Sequence, residues 1–208
     1  MPAAADPAPR HLWSVDVLDP RVGERLLEVG CGHGVAAGLA AARVAPVGQV
    51  TAIDRAPAMA MAAAKRNAAL VERGLLRVVW ASFAEESRWA ATAGAERLDG
   101  IWAFNVAAFW RPGEAGTSLT IACRRLRPGG RLCLFWDRPD GGLPTPPAGL
   151  DEALGSAGFG VERRLCERVG GRGAGGVVAR RRPDDRVAPE PVPKPRPLRS
   201  VGTAPRRT

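Results

Sequence analysis

The chain contains no apolar stretch approaching the ~20 residues that a membrane-spanning helix requires. Its opening, MPAAADPAPRHLW, has no basic segment followed by an apolar core, so neither a membrane partner nor a secretory signal is expected and a cytoplasmic location is. Histidine is limited to His11 and His33, and the four cysteines, Cys31, Cys123, Cys133 and Cys166, form no C-x-x-C pair. That excludes a metal site of the usual ligand count and a disulfide framework, leaving reduced thiols as the expectation. Lysine is nearly missing as well: of 30 Lys and Arg residues only Lys65 and Lys194 are lysines. The net charge of +9 would suit a phosphate-binding surface. The Arg, Ala, Gly and Pro abundance instead has the pattern of a coding bias. Much of the excess also sits in Arg180-Arg181-Arg182 and beyond, which argues against nucleic acid as the partner.

At 208 residues, 46% hydrophobic and 25% charged, the composition is that of one soluble globular domain. Residues 1–10 are Ala/Pro-rich, and residues 183–208 are Pro/Arg-rich without apolar periodicity. Both segments are expected to be disordered, which leaves a domain over residues 11–182. Within it, short apolar runs alternate with helix-like segments. Strands are predicted at 25–29, 49–53, 75–80, 98–105 and 131–136, with helices at 35–44, 57–73, 84–93, 114–126 and 150–157. Two further strands, 161–168 and 175–181, share a Gly-rich turn and should pair antiparallel. This order predicts an α/β, doubly wound, mostly parallel sheet with helices on both faces.

The first strand runs into Gly30-Cys31-Gly32-His33-Gly34, which opens a helix, and the second closes on Asp54, twenty residues past Gly34. Glycines let the main chain approach a ligand, the helix start offers unpaired N–H groups, and a carboxylate at that distance can accept both hydroxyls of a ribose. The spacing is G-x-G-x-G rather than G-x-G-x-x-G, which fits a phosphate-free adenosyl ligand better than a dinucleotide.

These residues resemble the class I S-adenosylmethionine-dependent methyltransferases. LLEVGCGHG and VTAID are similar to the family's first two motifs, LDGIWAFNVAAFW (98–110) occupies its fourth, and LRPGGRLCLFWD (126–137) is similar to its strand-five signature. The resemblance covers residues 11–182 and implies a seven-stranded sheet with an antiparallel last strand, S-adenosyl-L-methionine as cofactor, and methyl transfer as the activity. It also implies residue roles: the backbone of Gly30, Cys31, Gly32 and Gly34 bordering the methionine part, and Glu28 orienting its amine. Asp54 would take the ribose, Arg55 and Ala56 would flank the adenine, and Asn105 would face the methionine end and the acceptor. Many relatives carry an acid after strand three. Here the segment is Ala81-Ser82-Phe83, so Ser82 or a main-chain carbonyl must replace it, with Phe83 packing on the ring.

A sulfonium is already electrophilic, so alignment and exclusion of water can carry the reaction and no catalytic residue is assigned. Cys31 reads as a small residue in a tight turn rather than a nucleophile, His33 as a variable loop position rather than a base, and His11 as part of a cap. Asn105 begins Asn-Val-Ala-Ala-Phe and lacks the two prolines associated with methylation of base or glutamine amino groups. A small-molecule methyl acceptor is therefore expected. Trp13, Phe109 and Trp110 are candidates to line its pocket, with core packing as the competing assignment. Two other readings stay open: a non-catalytic cofactor-binding partner protein, and a nucleic-acid methyltransferase using its basic tail.

Overall fold

The computed structural model describes residues 7–94, 97–138, 140 and 142–183. The 183–208 tail expectation thus falls, apart from Pro183, outside the described residues. The chain order is α1 (Pro9–Leu18), β1 (Arg25–Val29), α2 (Val35–Val44), β2 (Gln49–Asp54), α3 (Pro57–Arg66), α4 (Ala68–Glu72), β3 (Leu76–Trp80), α5 (Glu86–Ala93), β4 (Leu98–Phe104), α6 (Ala115–Arg125), β5 (Leu126–Arg138), α7 (Leu150–Ser156), β6 (Phe159–Val169) and β7 (Arg172–Arg181). A single 3-10 turn, Ala107–Phe109, lies between β4 and α6.

The seven strands form one sheet in the order β3-β2-β1-β4-β5-β7-β6. The pairs among β1 to β5 are parallel, while β7 runs antiparallel to both β5 and β6, so the last strand is inserted between them. The expected topology is thus the observed one. Val169 pairs with Arg172 across Gly170-Gly171, whose φ values of +58° and +81° suit the two-residue turn that a right-twisted hairpin prefers.

Alternation along the parallel strands explains the two-sided burial. Leu27, Val29, Ile53, Ile101, Ala103, Leu132 and Leu134 face one core with Trp89 of α5, Leu119 of α6 and Leu154 of α7. Leu26, Val50, Ala52, Trp102, Cys133 and Phe135 face a second with Val15 and Leu18 of α1, the alanines of α2 and Ala63 of α3. Small residues in α2 let that helix lie close to the sheet, and Ala37, Ala40, Ala41 and Val44 are fully buried.

Three elements depart from expectation. Helix α1 begins at Pro9, inside the ten residues expected to be disordered. A proline is tolerated in a first helical turn, but PRHLWSVDVL is amphipathic too weakly to announce a helix, and burial of Ser14, Val15 and Leu18 stabilises it. The helix expected over 57–73 is interrupted at Asn67 (φ −109°, ψ 26°). Its side-chain Nδ2 donates to the carbonyls of Ala63 and Gly34, both at 2.9 Å, so an amide competes for helix acceptors and ties α3 to the start of α2. The fifth strand starts at Leu126 rather than Arg131, because Leu126 pairs with Leu98 ahead of the Pro-Gly-Gly segment.

Candidate functional site

Strands β1 and β4 are neighbours whose onward connections leave in opposite directions, β1 toward β2 and β4 toward β5. In an open parallel sheet this divergence leaves a crevice beyond the carboxyl ends of the strands, where ligands bind. The glycine loop, Asp54 and Asn105 all lie at those ends.

The loop is fixed from below. Gly30 and Cys31 N–H both donate to the Ile53 carbonyl, at 2.8 and 3.0 Å, and Gly34 N–H donates to the Cys31 carbonyl at 2.9 Å. Its three glycines take left-handed φ values of +73°, +53° and +71°, yet they serve different ends. A Cβ on Gly30 would come within 2.6 Å of Val106 Cγ2. One on Gly34 would come within 2.7 Å of Ala63 Cβ and 2.8 Å of Asn67 Nδ2, whereas one on Gly32 would meet nothing within 4 Å. Close approach at Gly30 and Gly34 is therefore approach of the protein to itself. Gly32 alone of the three faces open space, which narrows the expectation that all three border a ligand.

Asp54 is 9% exposed and ties the loop to the second strand: Gly32 N–H donates to Oδ2 at 2.8 Å and Ala56 N–H to Oδ1 at 2.9 Å. Each oxygen keeps a further lone pair for a ligand hydroxyl. Arg55 is exposed, and its carbonyl accepts the Trp80 indole N–H at 3.1 Å.

Glu28 is 4% exposed, and its Oε2 has no hydrogen-bond partner. Burial pushes its carboxyl up to about 8, against the pull of the Trp102 indole and the Ala37 amide, with the Asp54 charge adding to the rise. A carboxyl raised on folding keeps its proton in the folded chain and gives it up in the unfolded one. From about pH 4.5 to about pH 8 the unfolded state binds fewer protons, so stability falls as pH rises through that window. Glu28→Gln is expected to flatten this fall and to raise the melting temperature at pH 8, measured by thermal unfolding across pH 4–9. An unchanged slope would mean that Glu28 is ionised in the folded protein.

Cys31 is buried, and its thiol is pushed far up, first by burial and then by the Glu28 and Asp54 charges, which removes it as a nucleophile. His33 is exposed. His11 is half-buried and lowered by burial and by Arg10 and Arg66.

At the tip of β3 the structure corrects the aromatic assignments. Ala81 is buried, and its N–H donates to the Asp54 carbonyl at 3.0 Å. The Ser82 N–H donates to Glu85 Oε2 at 2.7 Å, and the Ser82 carbonyl accepts Glu85 N–H at 3.0 Å, so both main-chain groups of Ser82 already have partners. Phe83 is 5% exposed and stacks on Trp89, centroids 5.4 Å apart, with Phe109 at 5.3 Å. Its ring belongs to the core rather than to a ligand. Phe109, fully buried, is likewise core and not a pocket wall. Trp13 is committed to packing: its ring meets Phe135 edge-on at 5.1 Å, and its Nε1 donates to Glu167 Oε2 at 3.2 Å. Trp110 stays half-buried, edge-on to Trp136 at 6.1 Å.

Asn105 is exposed and adopts φ +57°. Its side chain is engaged with Asp137 at the end of β5, not turned to the loop. Asp137 and Asn67 are the polar residues that the sequence reading passed over. An asparagine inside an alanine-rich helical run was the available signal for the second. Asn67→Ala would improve helix propensity but remove the side-chain strut to the Gly34 carbonyl, which keeps the Gly38 N–H at 3.1 Å, and a net loss of about 1 kcal/mol is expected by chemical denaturation. Equal or greater stability would show that the strut to Gly34 contributes nothing.

A polar cavity of about 470 Å3 lies away from the loop, at the other ends of the strands, among Asp19, Glu24, Arg131, Glu162 and Arg180. Its carboxylates are matched to arginines (Arg21–Asp19, Arg131–Glu24, Arg180–Glu162), so it is an ion-paired surface rather than the ligand crevice that topology indicates.

A family model described as a methyltransferase domain matches residues 26–130. Nocamycin O-methyltransferase of Saccharothrix syringae is 39% identical over 150 residues, covering 72% of this chain and 48% of that protein; the chain thus spans about half the length of this curated relative. Among solved structures, TrmN from Thermus thermophilus superposes with a TM-score of 0.63 at 23% identity, covering 82% of this chain and 48% of that one. Magnesium protoporphyrin IX methyltransferase from Synechocystis PCC 6803, with bound SAM, gives 0.60 at 18%, covering 83% and 76%. At these identities the structural likeness is one of fold.

Proposed function

Because the chain belongs to the class I S-adenosylmethionine-dependent methyltransferases, we propose that it transfers the cofactor's methyl group to a hydroxyl of a small molecule. The observation that carries the reading is the pairing of an open-faced Gly32 with the Asp54 carboxylate at the β1/β4 divergence. The 39% identity to an O-methyltransferase supports oxygen in a small molecule as acceptor.

The residues present fit the cofactor. The orphaned Glu28 Oε2 is a buried acceptor that an ammonium group would partner, its positive charge favouring the ionised carboxylate over the protonated form held without it, and the free lone pairs of Asp54 suit a ribose diol. In this scheme Glu28 orients the amine, and the Gly30, Cys31, Gly32 and Gly34 backbone shapes the cradle, with Gly32 making the closest approach. Asp54 holds the ribose. Arg55, Ala56 and the Ser82 hydroxyl border the adenine, and Ala81 and Phe83 support that edge from the core. When bound, the cofactor supplies an activated methyl on a sulfonium. The protein's own contribution is to align the acceptor oxygen behind that methyl and to keep water out.

Calorimetric titration with S-adenosylhomocysteine is expected to show micromolar binding, and methyl-labelled cofactor should yield labelled small-molecule product. Absence of binding would overturn the reading.

A further inference from the structure

Asp137 is the penultimate residue of β5, one strand beyond Asn105 and two beyond the glycine loop. Its side chain is only 8% exposed, although it stands where the chain leaves the sheet. Asn105 Nδ2 donates to Asp137 Oδ1 at 2.7 Å, and the Asp137 N–H donates back to Asn105 Oδ1 at 3.1 Å. Arg172, which opens β7, brings Nη1 only to 3.5 Å from Oδ2, and the adjacent Arg138 is turned away to Asp140. Oδ2 is therefore the less occupied oxygen. The φ of +57° at Asn105 is one that non-glycine residues seldom adopt, and the Asn105 N–H is locked to the Phe135 carbonyl at 2.8 Å. Together these contacts hold one amide against one carboxylate.

Distance places this pair usefully. Strands lie about 4.8 Å apart, so Asp137 sits roughly 10 Å across the strand tips from the glycine loop. That span leaves room for a methyl donor beside the loop and an acceptor oxygen between donor and carboxylate. Trp110, half-buried five residues past Asn105, leaves part of its ring open; it meets edge-on Trp136, which lies within β5, is buried in the core and has an unpartnered Nε1.

We propose that Asp137 accepts the proton of an aromatic hydroxyl acceptor, with Asn105 as its positioning residue; this rests on the methyl-transfer reading above. The acceptor O–H bond breaks toward Asp137, and the oxygen forms its new bond to the methyl carbon. The sulfur–carbon bond breaks with its electron pair left on sulfur, giving the methyl ether and S-adenosylhomocysteine. The carboxylic acid then returns its proton to water.

The test compares two probes, phenol, which is protonated at neutral pH, and 4-nitrophenol, which is largely ionised slightly above it, with methyl-labelled cofactor and full-length protein. Asp137→Asn should slow methylation of phenol by about a hundredfold or more while slowing 4-nitrophenol only a few-fold, because an ionised acceptor needs no base. S-adenosylhomocysteine affinity should stay within about twofold, showing the variant folded. Equal losses on both probes with affinity retained would make Asp137 structural and overturn the inference. So would cofactor binding by wild type without methyl transfer to either phenol, which leaves the cofactor reading standing. Failure of wild type to bind S-adenosylhomocysteine at all would instead sink the functional reading itself.

Discussion

Asp54→Ala is expected to weaken S-adenosylhomocysteine binding by about 3 kcal/mol, roughly a hundredfold in Kd, measured by calorimetry. Two losses combine. Charge-assisted hydrogen bonds to a ribose diol disappear, and so do the acceptors for Gly32 N–H and Ala56 N–H, which tie the loop to the end of β2. Asp54→Asn is expected to recover little. An asparagine offers one acceptor oxygen, and its NH2 must then point at a backbone N–H, donor against donor. Unchanged affinity in the alanine variant would remove Asp54 from the site, and full recovery by asparagine would show that the carboxylate's two acceptors are not both required.

The second large effect lies far from the crevice. Arg131 and Glu24 form a bidentate pair at 2.8 and 2.5 Å, with side chains 8% and 12% exposed. Arg131 Nε also donates to the Leu18 carbonyl at 2.7 Å and Nη2 to the Asp19 carbonyl at 3.2 Å. One guanidinium thus joins β5 to the carbonyl end of α1, where cationic donors are favoured. Arg131→Met would strand a buried carboxylate and two carbonyls, and a loss of about 3–5 kcal/mol is expected, or roughly 10 °C in Tm. Adding Glu24→Gln to that variant should restore part of the loss, since the uncompensated charge is the main cost. A single-variant loss below about 1 kcal/mol would place the pair with exposed, weakly coupled ions.

That Asp54 and Gly32 meet at the strand tips, with Glu28 in the strand below, was legible because strand, turn, helix and acid follow one another in a fixed local order. The surroundings of Phe83, and the choice between core and pocket for Phe109, were not legible for the opposite reason. An aromatic just past a strand can turn to the crevice or to the core, and the choice was made by Trp89, which arrives from a separate helix and stacks on Phe83. Gly34 was legible as a glycine but not for its reason, because Asn67, 33 residues on, fills the space its missing Cβ leaves.

The amino-acid order alone determined what short-range chemistry can determine: the alternation of apolar runs, the glycine loop, the antiparallel pairing of the last two strands through a Gly-rich turn, and the acid at the end of β2. Each depends on residues within a turn or a strand of one another. Tertiary structure decided which glycine faces open space, which aromatics are core, and that Asn105 turns to Asp137 rather than to the loop. Those outcomes turn on contacts between segments distant in the chain, where strand order and register select the partner and no local pattern of residues encodes it.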